Sequence, residues 1–157
     1  MLYYQLPNNI LVSSTVARFF QTKVVITAFL KKFVRKLLSI MKDTALYERA
    51  ITWAKKHGFS NLKANTEEYE APAGFTRKGE TEAYIPDISG SKLGGKSYVE
   101  IAMKTEDNDD QVSKYKLLST MASIKSGKLY LLAPKGHKAY VDKMVKQYNI
   151  SAEVISI

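Results

Sequence analysis

From residue 97 onward the chain repeats one pattern, in which apolar runs of strand length alternate with longer segments of helical spacing. The runs fall at 97–104, 128–133 and 152–155, and the segments between them span about 109–125 and 136–148. Strands joined by a helix-length crossover lie parallel and connect right-handedly. This half of the chain is therefore confined to an α/β arrangement with parallel neighbours. Pro134 ends the middle run, because proline lacks the N–H that a sheet ladder needs.

The preceding residues supply a helix and further strands. Ala45, Leu46, Ile51, Trp53 and Ala54 recur at helical spacing over 44–57, and Gly58 stops the pattern. A first strand is expected near 61–69, followed by a loop through Ala71-Pro72-Ala73-Gly74 and Arg77-Lys78-Gly79. Two more strands are expected at about 82–88 and 97–104, joined by the Gly/Ser/Lys stretch 89–96. The expected fold class is α/β, a mixed central sheet flanked by helices.

Two acids on those neighbouring strands are the candidate chemistry. Asp87 lies in Tyr84-Ile85-Pro86-Asp87-Ile88 and Glu100 in Tyr98-Val99-Glu100-Ile101-Ala102-Met103-Lys104. Side chains alternate along a strand, so Glu100, Ala102 and Lys104 share one face while Val99, Ile101 and Met103 share the other. A buried carboxylate costs several kcal/mol unless it is paired or bound to metal. Asp87, set between isoleucines and beside a proline, calls for such a partner. Mg²⁺ takes oxygen ligands from one or two carboxylates plus water and phosphate oxygens, and a nearby lysine would orient water or stabilise a transition state. The plainer alternative is a turn-forming Pro-Asp pair followed by an edge strand whose charges discourage aggregation.

The order helix, strand, strand with Pro-Asp, strand with Glu-x-x-x-Lys, helix, strand resembles the PD-(D/E)XK nuclease superfamily, also called restriction-endonuclease-like, over roughly residues 44–134. The resemblance implies a restriction-endonuclease-like core and a metal-dependent nuclease acting on phosphodiester bonds, with DNA as the nucleic-acid partner and Mg²⁺ or Mn²⁺ as cofactor. It assigns metal binding to Asp87, Glu100 and the Ile101 carbonyl, and the catalytic ammonium to Lys104 or to Lys114 on the following helix. It further implies accessory roles for Glu48 on the first helix and Gln111 on the helix after the motif. Small members of the superfamily act as dimers or as one domain of a larger system, so a homodimer is also implied. The chain departs from the family pattern at the lysine. With Glu100 as the family's acid, the lysine position holds Ala102; with Lys104 as the lysine, the acid position holds Ala102. One strand repeat moves a side chain by roughly 6.6 Å. A nuclease-like module that has lost catalysis and serves nucleic-acid or protein binding is the alternative function.

Composition sets the remaining bounds. A chain of 157 residues with 45% hydrophobic and 25% charged residues suits a single packed domain. It contains no cysteine, which rules out disulfides and thiolate zinc sites, and a cytoplasmic location is expected. His57 precedes a glycine at a helix end and His137 lies in a loop, so capping or exposure is expected for both. The acidic run Glu106-Asp107-Asn108-Asp109-Asp110 lacks the spacing of a calcium loop and suits the start of a helix.

The net charge of +9 is concentrated at the start of the chain, where residues 1–41 hold Arg18, Lys23, Lys31, Lys32, Arg35 and Lys36 and no acid. The domains expected are a basic N-terminal extension over 1–41 and a nuclease-like domain over 42–157. Phe29, Leu30, Phe33, Val34, Leu37 and Leu38, with basic residues between them, describe a basic amphipathic helix. It falls short of the roughly 18 apolar residues that span a bilayer, so no integral span is expected. Three readings stay open: a segment lying on an anionic membrane surface, a targeting segment, or translation upstream of a true start at Met41.

Overall fold

The computed structural model describes residues 3–5, 11–13, 44–77, 83–105 and 108–157. The chain divides into two units, Met1–Lys42 and Asp43–Ile157. In the first, β1 (Tyr3–Gln5) and β2 (Leu11–Ser13) pair antiparallel, with Tyr4 opposite Val12. The amphipathic stretch 29–40 and Met41 lie outside the described residues.

The second unit contains α1 (Thr44–Lys56), β3 (Ser60–Ala64), β4 (Ile88–Lys92), β5 (Gly95–Ile101), α2 (Asn108–Ile124), β6 (Leu129–Ala133), α3 (Lys138–Gln147) and β7 (Ala152–Ser156). The strands form one open five-stranded sheet in the order β3-β4-β5-β6-β7. β3, β4 and β5 pair antiparallel, while β5, β6 and β7 are parallel, as the strand-helix-strand spacing requires. The sheet is mixed and the fold is α/β. Among the described residues, no helix is long and apolar enough to cross a membrane.

Alternation along β5 divides the core. Val99 and Ile101 face α1, where Ala50, Ile51, Ala54, Ile88 and Leu132 complete one cluster. Tyr98 and Ala102 face α2 and α3, packing with Val112, Tyr115, Leu118, Val141 and Met144. Tyr47, Ala50, Ile51 and Ala54 form the buried stripe of α1 at i, i+3, i+4 and i+7. Each helix therefore covers one face of a sheet whose central strands are buried on both sides.

The hairpin of β4 and β5 differs from its expected position. Ile88–Lys92 is a strand where the composition suggests a loop, and Leu93-Gly94 is the turn. Residues 83–87 lie outside the ladder except for an isolated bridge between Phe75 and Tyr84. The small residues that read as a loop are needed for close packing. A Cβ on Gly90 would sit 3.0 Å from Leu62 Cδ2 and 3.1 Å from Phe59 Cδ1. A Cβ on Gly95 would sit 2.0 Å from the Ser126 carbonyl oxygen, because the hairpin abuts the turn between α2 and β6.

Candidate acid site at the parting of β4 and β5

The last ladder pair of β4 and β5 at the site is Ile88 opposite Val99. Pro86 has no N–H to continue the ladder, and beyond this pair side chains take over the main-chain bonds. The Asp87 N–H donates to Glu100 Oε1 at 2.8 Å, and the Ile101 N–H donates to Asp87 Oδ2 at 2.8 Å. The two carboxylates thus cross between the parting strands. Asp87 is 4% exposed and Glu100 2%.

Each helix layer contributes one group to this pair of acids. From α1, the buried Tyr47 hydroxyl donates to Asp87 Oδ1 at 2.7 Å. From α2, Lys114 Nζ lies 2.9 Å from Glu100 Oε2. Burial alone would lower the lysine's proton affinity, but the charges of Glu100 and Asp87 and the hydrogen bond to Glu100 outweigh it, so its pKa is raised. Burial pushes the Tyr47 phenol above its ordinary value, and the charge of Asp87 and the hydrogen bond to it push the same way. Tyr115 is raised by burial and by the charges of Glu100 and Asp87, so it too lies within their field.

The residues nominated by the sequence fall into two groups. Asp87, Glu100, the Ile101 main chain and Lys114 come together. The Ile101 N–H points towards Asp87, and a strand residue directs its carbonyl to the same edge as its N–H. Gln111 stands one helical turn before Lys114 and donates through Nε2 to the Met103 carbonyl and to the Tyr115 hydroxyl, each at 2.9 Å. It fastens the segment that follows β5 to α2, and its Oε1 is buried without a hydrogen-bond partner.

Lys104 and Glu48 are placed differently. Lys104 lies beyond the end of β5, so alternation no longer fixes its face; its side chain is exposed and its N–H donates to His137 Nδ1 at 3.1 Å. Glu48 is exposed on α1, while its neighbour Tyr47 takes the buried position. Ala102, in the lysine position counted from Glu100, is fully buried in the α2-side core. An alanine there leaves the approach to Glu100 to a side chain from α2, and Lys114 occupies it.

Tyr47 is the site residue that sequence reasoning missed. Its signal is a tyrosine on the apolar stripe of an amphipathic helix, since a buried phenol needs a hydrogen-bond partner.

The donor set suits a hard divalent cation: two carboxylates and a directed carbonyl offer oxygens only. No cluster of three or more His, Cys, Asp or Glu side chains with metal-holding geometry occurs among the described residues. Asp87 and Glu100 would therefore need water and substrate oxygens to complete a coordination shell. Two surface hollows lie elsewhere, one of about 610 Å³ along α3 and one of about 240 Å³ beside Gly127 and Ser151. They carry no comparable convergence of buried polar groups, and the acids remain the candidate site. Comparison with known proteins returns no matching family model, no matching curated protein and no matching solved structure.

Proposed function

We propose that the Asp43–Ile157 unit is a divalent-metal-dependent nuclease that hydrolyses phosphodiester bonds, with DNA as its substrate class and a restriction-endonuclease-like core. The observation that carries this reading is the crossed pair of bonds at the parting strands, Asp87 N–H to the Glu100 carboxylate and Ile101 N–H to the Asp87 carboxylate, with a lysine ammonium 2.9 Å from Glu100. Asp87, Glu100 and the Ile101 carbonyl would hold Mg²⁺ or Mn²⁺. Such an ion offsets phosphate charge and lowers the pKa of water.

The chain's own groups have separable roles. Tyr47 fixes the orientation of Asp87 through its hydroxyl. Lys114 is the ammonium available to a phosphate oxygen or to the attacking water, which assigns to α2 the part that the family pattern gives to a strand lysine. Gln111 holds the segment after β5 in place. Lys104 and Glu48 are left at the periphery.

A second reading is favoured by one observation: all four carboxylate oxygens of the pair already accept from protein groups, namely Tyr47, the Ile101 and Asp87 N–H groups, and Lys114. A set satisfied in this way also describes a non-catalytic module that binds nucleic acid or protein.

Mn²⁺ titration by calorimetry, combined with cleavage of plasmid and single-stranded DNA, separates the two readings. The nuclease reading expects metal binding and cleavage that are both lost in Asp87→Ala and Glu100→Ala, loss of cleavage in Lys114→Ala, and cleavage within about twofold of wild type in Lys104→Ala. DNA binding with no acid-dependent metal binding would establish the second reading instead.

A further inference from the structure

β3 is antiparallel to β4 and β4 to β5, so β3, β5, β6 and β7 all begin at the same edge of the sheet. The carboxylates sit near the other end of β5. From Gly95 to Glu100 the strand advances about 17 Å. The starting edge is formed by the end of α1, the turn between α3 and β7, the Leu93-Gly94 turn and the turn between α2 and β6. Direct contacts join the last two: the Lys96 N–H donates to the Lys125 carbonyl at 3.0 Å, and Gly95 packs on the Ser126 carbonyl.

This edge has an unusual surface. The end of α1, the hairpin turn and the α2–β6 turn contribute no acidic residue, while the start of β7 contributes Glu153, which lines the same hollow as Lys128. The first three present Lys55, Lys56, Lys92, Lys96, Lys125 and Lys128. Three of these ammoniums lie over rings, Lys55 at 5.5 Å from the Tyr69 centroid, Lys92 at 4.9 Å from that of Tyr130 and Lys125 at 5.9 Å from that of Phe75. Between the lysines project the two most exposed large apolar side chains of the described residues, Leu93 at 98% and Ile124 at 70%.

A lysine at a helix end is explained by the helix dipole, but Leu93 has no such explanation. It sits in a left-handed conformation, φ 49°, where a branched side chain is strained and glycine or asparagine is not. It packs on nothing that would repay the strain. A strained, exposed aliphatic tip flanked by Lys92 and Lys96 in its hairpin has the composition of a surface that enters the boundary between anionic headgroups and acyl chains.

We propose that the starting edge of the sheet is a docking surface for an anionic phospholipid bilayer, with Leu93 and Ile124 entering the headgroup boundary and the lysines facing the headgroups. Nucleic acid is the less suitable partner for this edge. Although the exposed His57 ring stacks on Trp53 at the end of α1, the side chains that project furthest are the aliphatic Leu93 and Ile124 and not rings on which bases stack, and the edge lies at the far end of β5 from the acids. Bilayer docking leaves the carboxylate end turned towards solvent. The basic amphipathic stretch 29–40 has the same chemistry in sequence, so the full chain would carry two such elements.

The test is partition of the full-length chain onto vesicles of phosphatidylcholine, with and without 30% phosphatidylglycerol, at low and high salt. The proposal expects binding that requires phosphatidylglycerol and weakens at high salt. Leu93→Asn should lower the partition coefficient about tenfold, while its melting temperature stays equal or rises because asparagine accepts φ 49°. The double substitution Lys125→Glu with Lys128→Glu should lower it further at low salt. Wild-type partition by Leu93→Asn and by the double variant would overturn the proposal. So would equal binding to neutral vesicles, or variants that lose affinity for duplex DNA while keeping affinity for vesicles.

Discussion

Replacing Lys114 with methionine tests the site at its tightest charge contact. The lysine stem keeps a near-isosteric substitute, so the change removes the ammonium and little packing. At 2.9 Å from Glu100 Oε2, an ion pair with an effective dielectric constant of 20 is worth about 6 kcal/mol before desolvation. Glu100 is 2% exposed and the Lys114 side chain 21%, so water reaches part of the lysine side chain but hardly the carboxylate. Breaking a buried pair from one side costs roughly 3–5 kcal/mol, and partial access of water to the lysine favours the lower end, about 3 kcal/mol. For a unit of this size that corresponds to a melting temperature lower by roughly 12 °C. Thermal unfolding followed by circular dichroism measures it at neutral pH. Adding Glu100→Gln should restore more than half of the loss, because the carboxylate left behind is the source of the penalty. A shift under about 2 °C, or strict additivity in the double variant, would refute the account of Lys114 as the counter-charge of Glu100.

Three further outcomes are expected. Asp87→Asn should abolish metal-dependent DNA cleavage while the melting temperature stays equal or rises, because an amide can accept from the Ile101 N–H and donate to the Tyr47 hydroxyl while removing one of two adjacent negative charges; retained cleavage would remove Asp87 from the mechanism. Gly95→Ala should destabilise by at least about 2 kcal/mol in denaturant titration, since its Cβ would meet the Ser126 carbonyl at 2.0 Å. Tyr47 and Tyr115, both raised in the folded state chiefly by burial, should resist ionisation in a 295 nm alkaline titration until the chain unfolds. The unfolded chain releases these protons above about pH 10, so their contribution to stability is complete below that pH and is lost as the pH rises; ionisation of every tyrosine without loss of structure would contradict it.

The reach of the sequence can be followed residue by residue. α1 is legible from Ala45 to Ala54, because a one-sided helix advertises its period, and α2 from the acids at its start, which complement the helix dipole. The parallel half followed from crossover length alone. β4 is not legible, because Ser89 and Gly90 have loop composition and only the fold brings Leu62 and Phe59 against Gly90. Small residues carry no periodic signal, and only the facing layer explains why nothing larger fits.

The candidate site divides in the same way. Asp87 and Glu100 are legible because a charge inside an apolar segment is improbable without a partner. Alternation gave their neighbours on β5, but it could not follow Lys104 past the end of the strand at Ile101. Lys114 and Tyr47 reach the acids from opposite layers of the sheet, α2 and α1.

The amino-acid order by itself determined the α/β class, the parallel direction of β5, β6 and β7, and the presence of an acid in each of two neighbouring apolar segments, because each depends on spacing along one segment of chain. Which ammonium and which hydroxyl meet those acids, and which end of the sheet gathers the lysines, was decided only when the helices packed. Those contacts join residues as far apart as 40 positions, and local periodicity does not extend across such a separation.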